Sequence, residues 1–196
     1  MNPAMEYPGR PPKVLYTAAG VVALLIVFAG LTDAITSMGV EARDNSSVSI
    51  VEWFALFQTH PFAAFSRLGI INITTLSLSI PIYLAFPQAF GKHRPILAAL
   101  ASILFFIGTA VYLSSNTVFP LFALSQQYAA AAEAQKPLLE AAGRAVLAQG
   151  ADLTAGTFVG LFLTQIAGLL ITAGMLRGEV FGKWTGIVGL VGFGLM

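Results

Sequence analysis

The stretch from Val14 to Thr32, VLYTAAGVVALLIVFAGLT, decides the fold class because it contains no charged residue over 19 positions. At about 1.5 Å of rise per residue, a helix of this length measures about 28 Å, close to the thickness of the hydrocarbon core of a bilayer. Such a run is typical of a transmembrane helix and is too long for the core of a signal peptide. The sequence therefore predicts a first membrane-spanning helix that is retained.

The composition of the whole chain agrees with this interpretation. Of the 196 residues, 57% are hydrophobic and 10% are charged, against about 25% charged in ordinary soluble domains. A soluble domain of this size could not bury so much apolar surface, whereas helices that face lipid can expose it. We therefore expect an all-α fold, a polytopic transmembrane helix bundle that contacts membrane lipids.

Apolar runs define four full spans and one incomplete span within a single transmembrane domain, residues 14–196, and residues 1–13 form a proline-rich, disordered tail. The predicted spans are 14–36, 68–86, 96–115, 153–176 and an incomplete one from Trp184. The last run has 13 residues, from Trp184 to Met196, about 20 Å of helix, which is too short to cross. This favours a chain whose C-terminal part is missing.

Two connections between the predicted spans are long. Residues 52–65 are rich in aromatic side chains and broken by Pro61, a composition typical of a segment at the membrane–water boundary. Residues 121–149 are rich in alanine, with apolar residues at helical spacing, and predict two short extramembrane helices. Positive residues concentrate on the tail and the short connections, which predicts a cytoplasmic N-terminus in a bacterial inner membrane and long connections on its outer side.

Two charged residues lie at the outer ends of predicted spans. Asp33 is the only acidic residue close to an apolar run, and Arg67 opens the second span from the same side. We expect either an ion pair at this boundary or two side chains that reach the headgroups separately. A role in moving ions or protons is the third alternative, because charge inside a membrane is costly and usually has a function.

Polar side chains recur on one face of the second, third and fourth spans. In a bilayer such faces turn inward, where they either bond neighbouring helices or line a cavity. If they line a ligand cavity, its predicted contacts are Asn72, Tyr83, Tyr112 and Gln165.

The chain contains little that predicts catalysis. It has no cysteine, no Ser/His/Asp grouping, no phosphate-binding glycine loop and no paired carboxylates within a span. His60 and His93 fall on opposite sides of the membrane in the predicted topology, so they cannot ligate one haem. The net charge of +1 offers no basic surface for nucleic acid. We expect no catalytic residues, no metal, no cofactor and no nucleic-acid partner.

Two motifs carry a resemblance: Phe65-Ser66-Arg67-Leu68-Gly69 at the start of the second span, and FGKWTGIVG at 181–189. With the arrangement of spans from about Leu15 onward, the chain resembles a family of small bacterial membrane proteins known only as a domain of unknown function. That resemblance implies about six spans, hence a sixth beyond this chain, and it supplies no catalytic residues.

The sequence favours a non-enzymatic accessory or scaffold protein, a subunit that contacts other membrane subunits in a larger assembly. The alternative is a membrane carrier that binds a small molecule or lipid through the inward polar faces of its second to fourth spans. The two hypotheses differ in packing, because a carrier leaves part of these faces open and a scaffold packs them closed.

Overall fold

The computed structural model describes residues 13–39, 48–90, 94–151, 154–176 and 181–194, with side chains in the first range described for 13–31. These ranges are almost entirely helical, and no strand occurs within them. The helices are α1 (Lys13–Gly39), α2 (Ile50–Thr59), α3 (Pro61–Arg67), α4 (Ile70–Phe90), α5 (Pro95–Ser115), α6 (Val118–Ala130), α7 (Lys136–Gln149), α8 (Ala155–Met175) and α9 (Lys183–Gly194). The prediction of an all-α fold is confirmed.

Five helices form a row in which each helix packs on the next, in the order α1, α4, α5, α8, α9. Among the described residues, four helices are long and apolar enough to cross a membrane, and they begin at Lys13, Ile70, Pro95 and Ala155. The last helix in the row, α9, has 12 residues and is too short to belong to this set. These five helices are called the bundle.

Helix α4 continues to Phe90 although the sequence predicts that the second span ends at residue 86, before Pro87. A proline inside a helix cannot donate to the carbonyl four residues earlier, which for Pro87 is the carbonyl of Tyr83. The hydroxyl of Ser102 on α5 donates to this carbonyl instead, at 2.8 Å. A neighbouring helix thus supplies the missing donor, and α4 gains one more turn.

Helices α2, α3, α6 and α7 form a cap at the end of the bundle where α5 ends and α4 and α8 begin. Its core contains Trp53, Phe54, Phe57 and Leu121, each at most 2% exposed. The sequence predicts that the aromatic residues of this segment lie at a membrane boundary. The structure buries these three within the cap because α6 packs on α2, and the prediction could not include that contact.

Helices α5 and α8 approach each other to backbone contact within about two turns of the ends that face the cap. A Cβ atom on Gly108 would lie 2.7 Å from the Gly160 carbonyl oxygen, and one on Gly160 would lie 2.8 Å from the Tyr112 amide nitrogen. Real Cβ atoms do not come this close to backbone, so glycine at both positions permits the packing, as small residues commonly do between membrane helices.

Candidate functional site

A partly open cavity of about 1070 Å³ lies between the cap and the adjacent ends of α4, α5 and α8. Its volume is at the upper end of the range of about 300–1,000 Å³ found for small-molecule sites. Aliphatic side chains supply much of its lining, and polar ones concentrate where α4 begins and α5 ends. The polar residues that matter here are Arg67, Asn72, Tyr112, Asn116, Glu140 and Arg144.

Three of these polar groups surround Gly69, the residue that joins α3 to α4. Gly69 has φ of +91°, a backbone conformation that other residues seldom adopt. The position that a Cβ would occupy there lies 3.0 Å from the Tyr112 hydroxyl oxygen, 3.7 Å from Asn116 Nδ2 and 3.9 Å from Asn72 Nδ2. The turn therefore needs glycine, and the absent side chain leaves space among three hydrogen-bonding groups.

Asn116 is held in place by its own hydrogen bonds. Its Nδ2 donates to the Leu68 carbonyl at 3.4 Å, and its Oδ1 accepts from the Val118 amide at 2.9 Å. Asn116 thereby ties the end of α5 to the turn before α4 and to the first residue of α6. It fixes one wall of the cavity.

Tyr112 and Asn72 differ from Asn116 in this respect. Within the described part of the chain, neither the Tyr112 hydroxyl nor the Asn72 carboxamide has a hydrogen-bond partner. Tyr112 is nevertheless only 6% exposed. Asn72 is exposed, and both residues line the cavity, so both groups are available to water or to a ligand there.

Two arginines and one glutamate supply the charge among the described lining residues. The guanidinium of Arg67 lies over the Trp53 ring, 5.1 Å from its centroid. On α7, Arg144 lies 3.8 Å from the Glu140 carboxylate, which also accepts a hydrogen bond from the Tyr128 hydroxyl at 3.0 Å. The glutamate charge is thus shared between two partners.

The structure separates the four predicted ligand contacts into two groups. Asn72 and Tyr112 line the cavity together. Tyr83 lies deeper in the bundle and stacks on Phe105, with ring centroids 3.7 Å apart. Gln165 lies on α8 outside the cavity lining, and its Oε1 is buried without a hydrogen-bond partner in the described part of the chain.

The structure describes only one side chain of the predicted ion pair between Asp33 and Arg67. Arg67 lines the cavity at the start of α4. Asp33 belongs to α1, but its side chain lies outside the described residues. A bond between them therefore stays a prediction.

The sequence interpretation did not select Gly69, Asn116, Glu140 or Arg144 as site residues. Asn116 lies on the predicted polar face of the third span, and Gly69 follows Arg67 at the start of a span, so both left a signal in the sequence. Nothing in the local pattern around Glu140 and Arg144 distinguishes them from a solvated helix face. Their place in the lining depends on how the cap covers the bundle.

The chemistry that this arrangement offers is hydrogen bonding and charge attraction. No group of three His, Cys, Asp or Glu residues that could hold a metal ion occurs among the described residues. The site contains hydrogen-bonding groups, two arginines and one glutamate around a space of ligand size, which suits recognition of a polar molecule.

No family model matches the chain, and comparisons with curated proteins and with solved structures find no significant match. Membership of the family that the sequence resembles stays a prediction.

Proposed function

We propose that the chain is a non-enzymatic membrane protein that binds a small amphiphilic molecule or a lipid in the cavity under its cap. The proposal includes a bacterial inner membrane, a cytoplasmic N-terminus and a cap on the outer side, on the basis of the positive charges near the short connections. The observation that carries it is the partly open cavity of about 1070 Å³, whose lining includes two polar groups, Asn72 and Tyr112, without a hydrogen-bond partner among the described residues.

The position of the cavity favours binding at one end of the bundle over passage through it. Directly beyond the site, α5 and α8 meet at Gly108 and Gly160 without room for a Cβ atom. A ligand that enters under the cap therefore meets closely packed backbone along this pair of helices. Binding, sensing or delivery at the membrane surface fits this arrangement better than a continuous pathway along α5 and α8.

A scaffold or accessory subunit is the second candidate, and the same close packing favours it. The polar faces of α5 and α8 are closed over most of their length, with Thr164 and Thr172 buried, as expected if they only hold helices together. In this alternative the protein acts through contacts with other membrane subunits, and the cavity holds water.

Native mass measurement after gentle solubilisation from native membranes tests the two candidates. A specific bound lipid or small molecule on an otherwise single chain supports the binding function. A defined set of attached protein subunits with no small ligand supports the scaffold and contradicts the binding proposal.

A pair of alanines on α7 provides the matched variants for this measurement. Ala148 lines the cavity, whereas Ala145 is exposed outside its lining. We expect Ala148→Trp to fill part of the cavity and remove most of the bound ligand, and Ala145→Trp to retain it. Equal ligand occupancy in both variants would place the ligand elsewhere.

A further inference from the structure

We propose that the cavity recognises a neutral amphiphile whose head carries neighbouring hydroxyl groups, a glycerol or a sugar on an alkyl chain. This inference rests on the proposed binding function and specifies the class of ligand. It is carried by uncharged side chains of the lining that have no hydrogen-bond partner among the described residues, together with charged side chains that already have partners.

The uncharged polar groups of the lining supply the first step. Asn72, Tyr112 and Thr117 have no side-chain hydrogen bond to any described residue. Tyr112 and Thr117 are each 6% exposed, yet their hydroxyl oxygens remain accessible from the lining. Hydroxyl and carboxamide groups both donate and accept hydrogen bonds. A ligand head that also donates and accepts, as hydroxyl groups do, matches all three side chains.

The second step is the arrangement of two of these groups around Gly69. The Tyr112 hydroxyl oxygen lies 3.0 Å from the position of the absent Cβ, and Asn72 Nδ2 lies 3.9 Å from it. Asn116 Nδ2 lies 3.7 Å from the same position, but it already donates to the Leu68 carbonyl. Two groups that converge on one position can bond adjacent hydroxyl groups of one head. Glycerol and sugars carry hydroxyl groups on adjacent carbon atoms.

The third step is charge. Glu140 lies 3.8 Å from Arg144 and also accepts a hydrogen bond from the Tyr128 hydroxyl. Arg67 lies over the Trp53 ring and takes part in a further interaction. A charged head would therefore lose hydration without meeting an unpaired opposite charge among the described lining residues, and removing an ion from water costs far more than removing a hydroxyl group. A neutral head is favoured.

The remainder of the lining is aliphatic and indicates an alkyl chain. Asn72 lies in the first turn of α4 and Tyr112 in the last turn of α5, which corresponds to headgroup depth if these helices cross a membrane. Hydrocarbon on the ligand would cover the aliphatic surface and remove it from water. The aliphatic lining residues are Val48, Ile50, Val51, Leu68, Leu147 and Leu161.

A competition measured by native mass spectrometry tests this specificity. The full chain, delipidated in a polyoxyethylene ether detergent, receives equal mole fractions of five dodecyl probes: dodecylglycerol, its dimethyl ether, dodecyl glucoside, laurate and dodecyltrimethylammonium. The dimethyl ether keeps the oxygen atoms of dodecylglycerol and removes their donors, and the last two probes carry opposite charges. We expect dodecylglycerol or dodecyl glucoside to show at least about fivefold higher occupancy than the other three, the usual effect of one hydrogen bond.

Conservative variants locate the effect in the cavity. Tyr112→Phe and Thr117→Val each remove one hydroxyl group from the lining, and we expect each to raise the half-saturating mole fraction of the preferred probe about fivefold. Tyr83→Phe removes the same atom from a tyrosine outside the lining and should leave probe binding unchanged. All three changes nearly preserve the shape of the side chain, so none is expected to prevent folding.

The outcomes separate this inference from the proposed function. Preference for dodecylglycerol alone identifies a glycerol source, and preference for dodecyl glucoside alone identifies a sugar source. Equal occupancy by dodecylglycerol and its dimethyl ether, preference for a charged probe, or unchanged binding in both Tyr112→Phe and Thr117→Val would overturn the hydroxyl specificity. Loss of probe in Ala148→Trp would then still leave a binding cavity. Absence of any bound probe, with no small molecule retained from native membranes, would overturn both.

Discussion

Helices α5 and α8 pack in two different ways along their shared length. About two turns from their cap ends they are closed, with backbone contact at Gly108 and Gly160, and at those ends they border an open cavity. Both regions carry inward polar side chains of the kind that predicts either helix packing or a binding site. The difference shows that an inward polar face alone does not distinguish helix packing from a binding site.

Two threonines of the closed region bond their own helix, which the Tyr112 hydroxyl cannot do. In the closed region, the Thr164 hydroxyl donates to the Leu161 carbonyl at 2.8 Å, and the Thr172 hydroxyl donates to the Gly168 carbonyl at 3.0 Å. Short hydroxyl side chains can bond the preceding turn of their own helix. The Tyr112 hydroxyl is too far from its own backbone to do so, and it needs a partner across a gap.

The largest predicted effect concerns the closed region. Gly160→Ala places a methyl group against the Tyr112 backbone, and we expect a loss of about 1–3 kcal/mol of stability from overpacking. The matched control is Gly30→Ala on α1, where no atom lies within 4 Å of the added Cβ, so helix propensity should give a gain of up to about 1 kcal/mol. Thermal unfolding in detergent measures both, and equal midpoints for the two variants would contradict the backbone contact.

A second prediction concerns the hydrogen bond that lets α4 pass Pro87. Ser102→Ala leaves the Tyr83 carbonyl without its donor in a buried position, with an expected cost of about 1–2 kcal/mol. Ser114→Ala removes an exposed hydroxyl that bonds its own helix and should change stability by less than about 0.5 kcal/mol. The difference between the unfolding midpoints of the two variants tests this prediction. A smaller effect for Ser102→Ala than for Ser114→Ala would refute the role of Ser102 as the donor that compensates for Pro87.

A third prediction concerns the open region. In protein freed of bound ligand, Tyr112→Phe removes a hydroxyl that lines the cavity and has no partner among the described residues, so stability should change by less than about 0.5 kcal/mol. Calorimetry or thermal unfolding of delipidated protein provides the measurement, and a clear loss of stability would indicate that the hydroxyl already has a structural partner.

The smallest predicted effect sharpens the contrast with Tyr112. Thr164→Val in the closed region removes a hydroxyl that bonds only its own helix, so we expect a stability change within about 0.5 kcal/mol. It should also leave the ligand occupancy in the native mass measurement unchanged. A large change in either quantity would mean that the closed region contributes to the site.

The helical spans were predictable because each rests on local information, an uncharged run long enough for a bilayer. The start of α3 at Pro61 and of α7 near Pro137 is local as well, since proline suits the first turn of a helix. The end of α4 was not predictable, because the donor that compensates for Pro87 comes from another helix.

The site was predictable only in part for a related reason. Helical periodicity placed Asn72 and Tyr112 on inward faces, and they meet in the cavity. The same periodicity selected Tyr83 and Gln165, but it gives direction around a helix and not depth along the bundle. The contribution of Arg144 depends on how α7 docks, a contact between elements that no single stretch of sequence specifies.

The order of helices in the row also determines how the protein can assemble during synthesis. Each bundle helix packs on the one that precedes it in the row, so successive hairpins can form as the chain emerges. The cap is different, because α2 packs on α6, which is synthesised later. In this contact the Gln58 side chain donates a hydrogen bond to the Ser125 carbonyl. The cavity lies between these two kinds of contact, and its walls are complete only once α8 has been made.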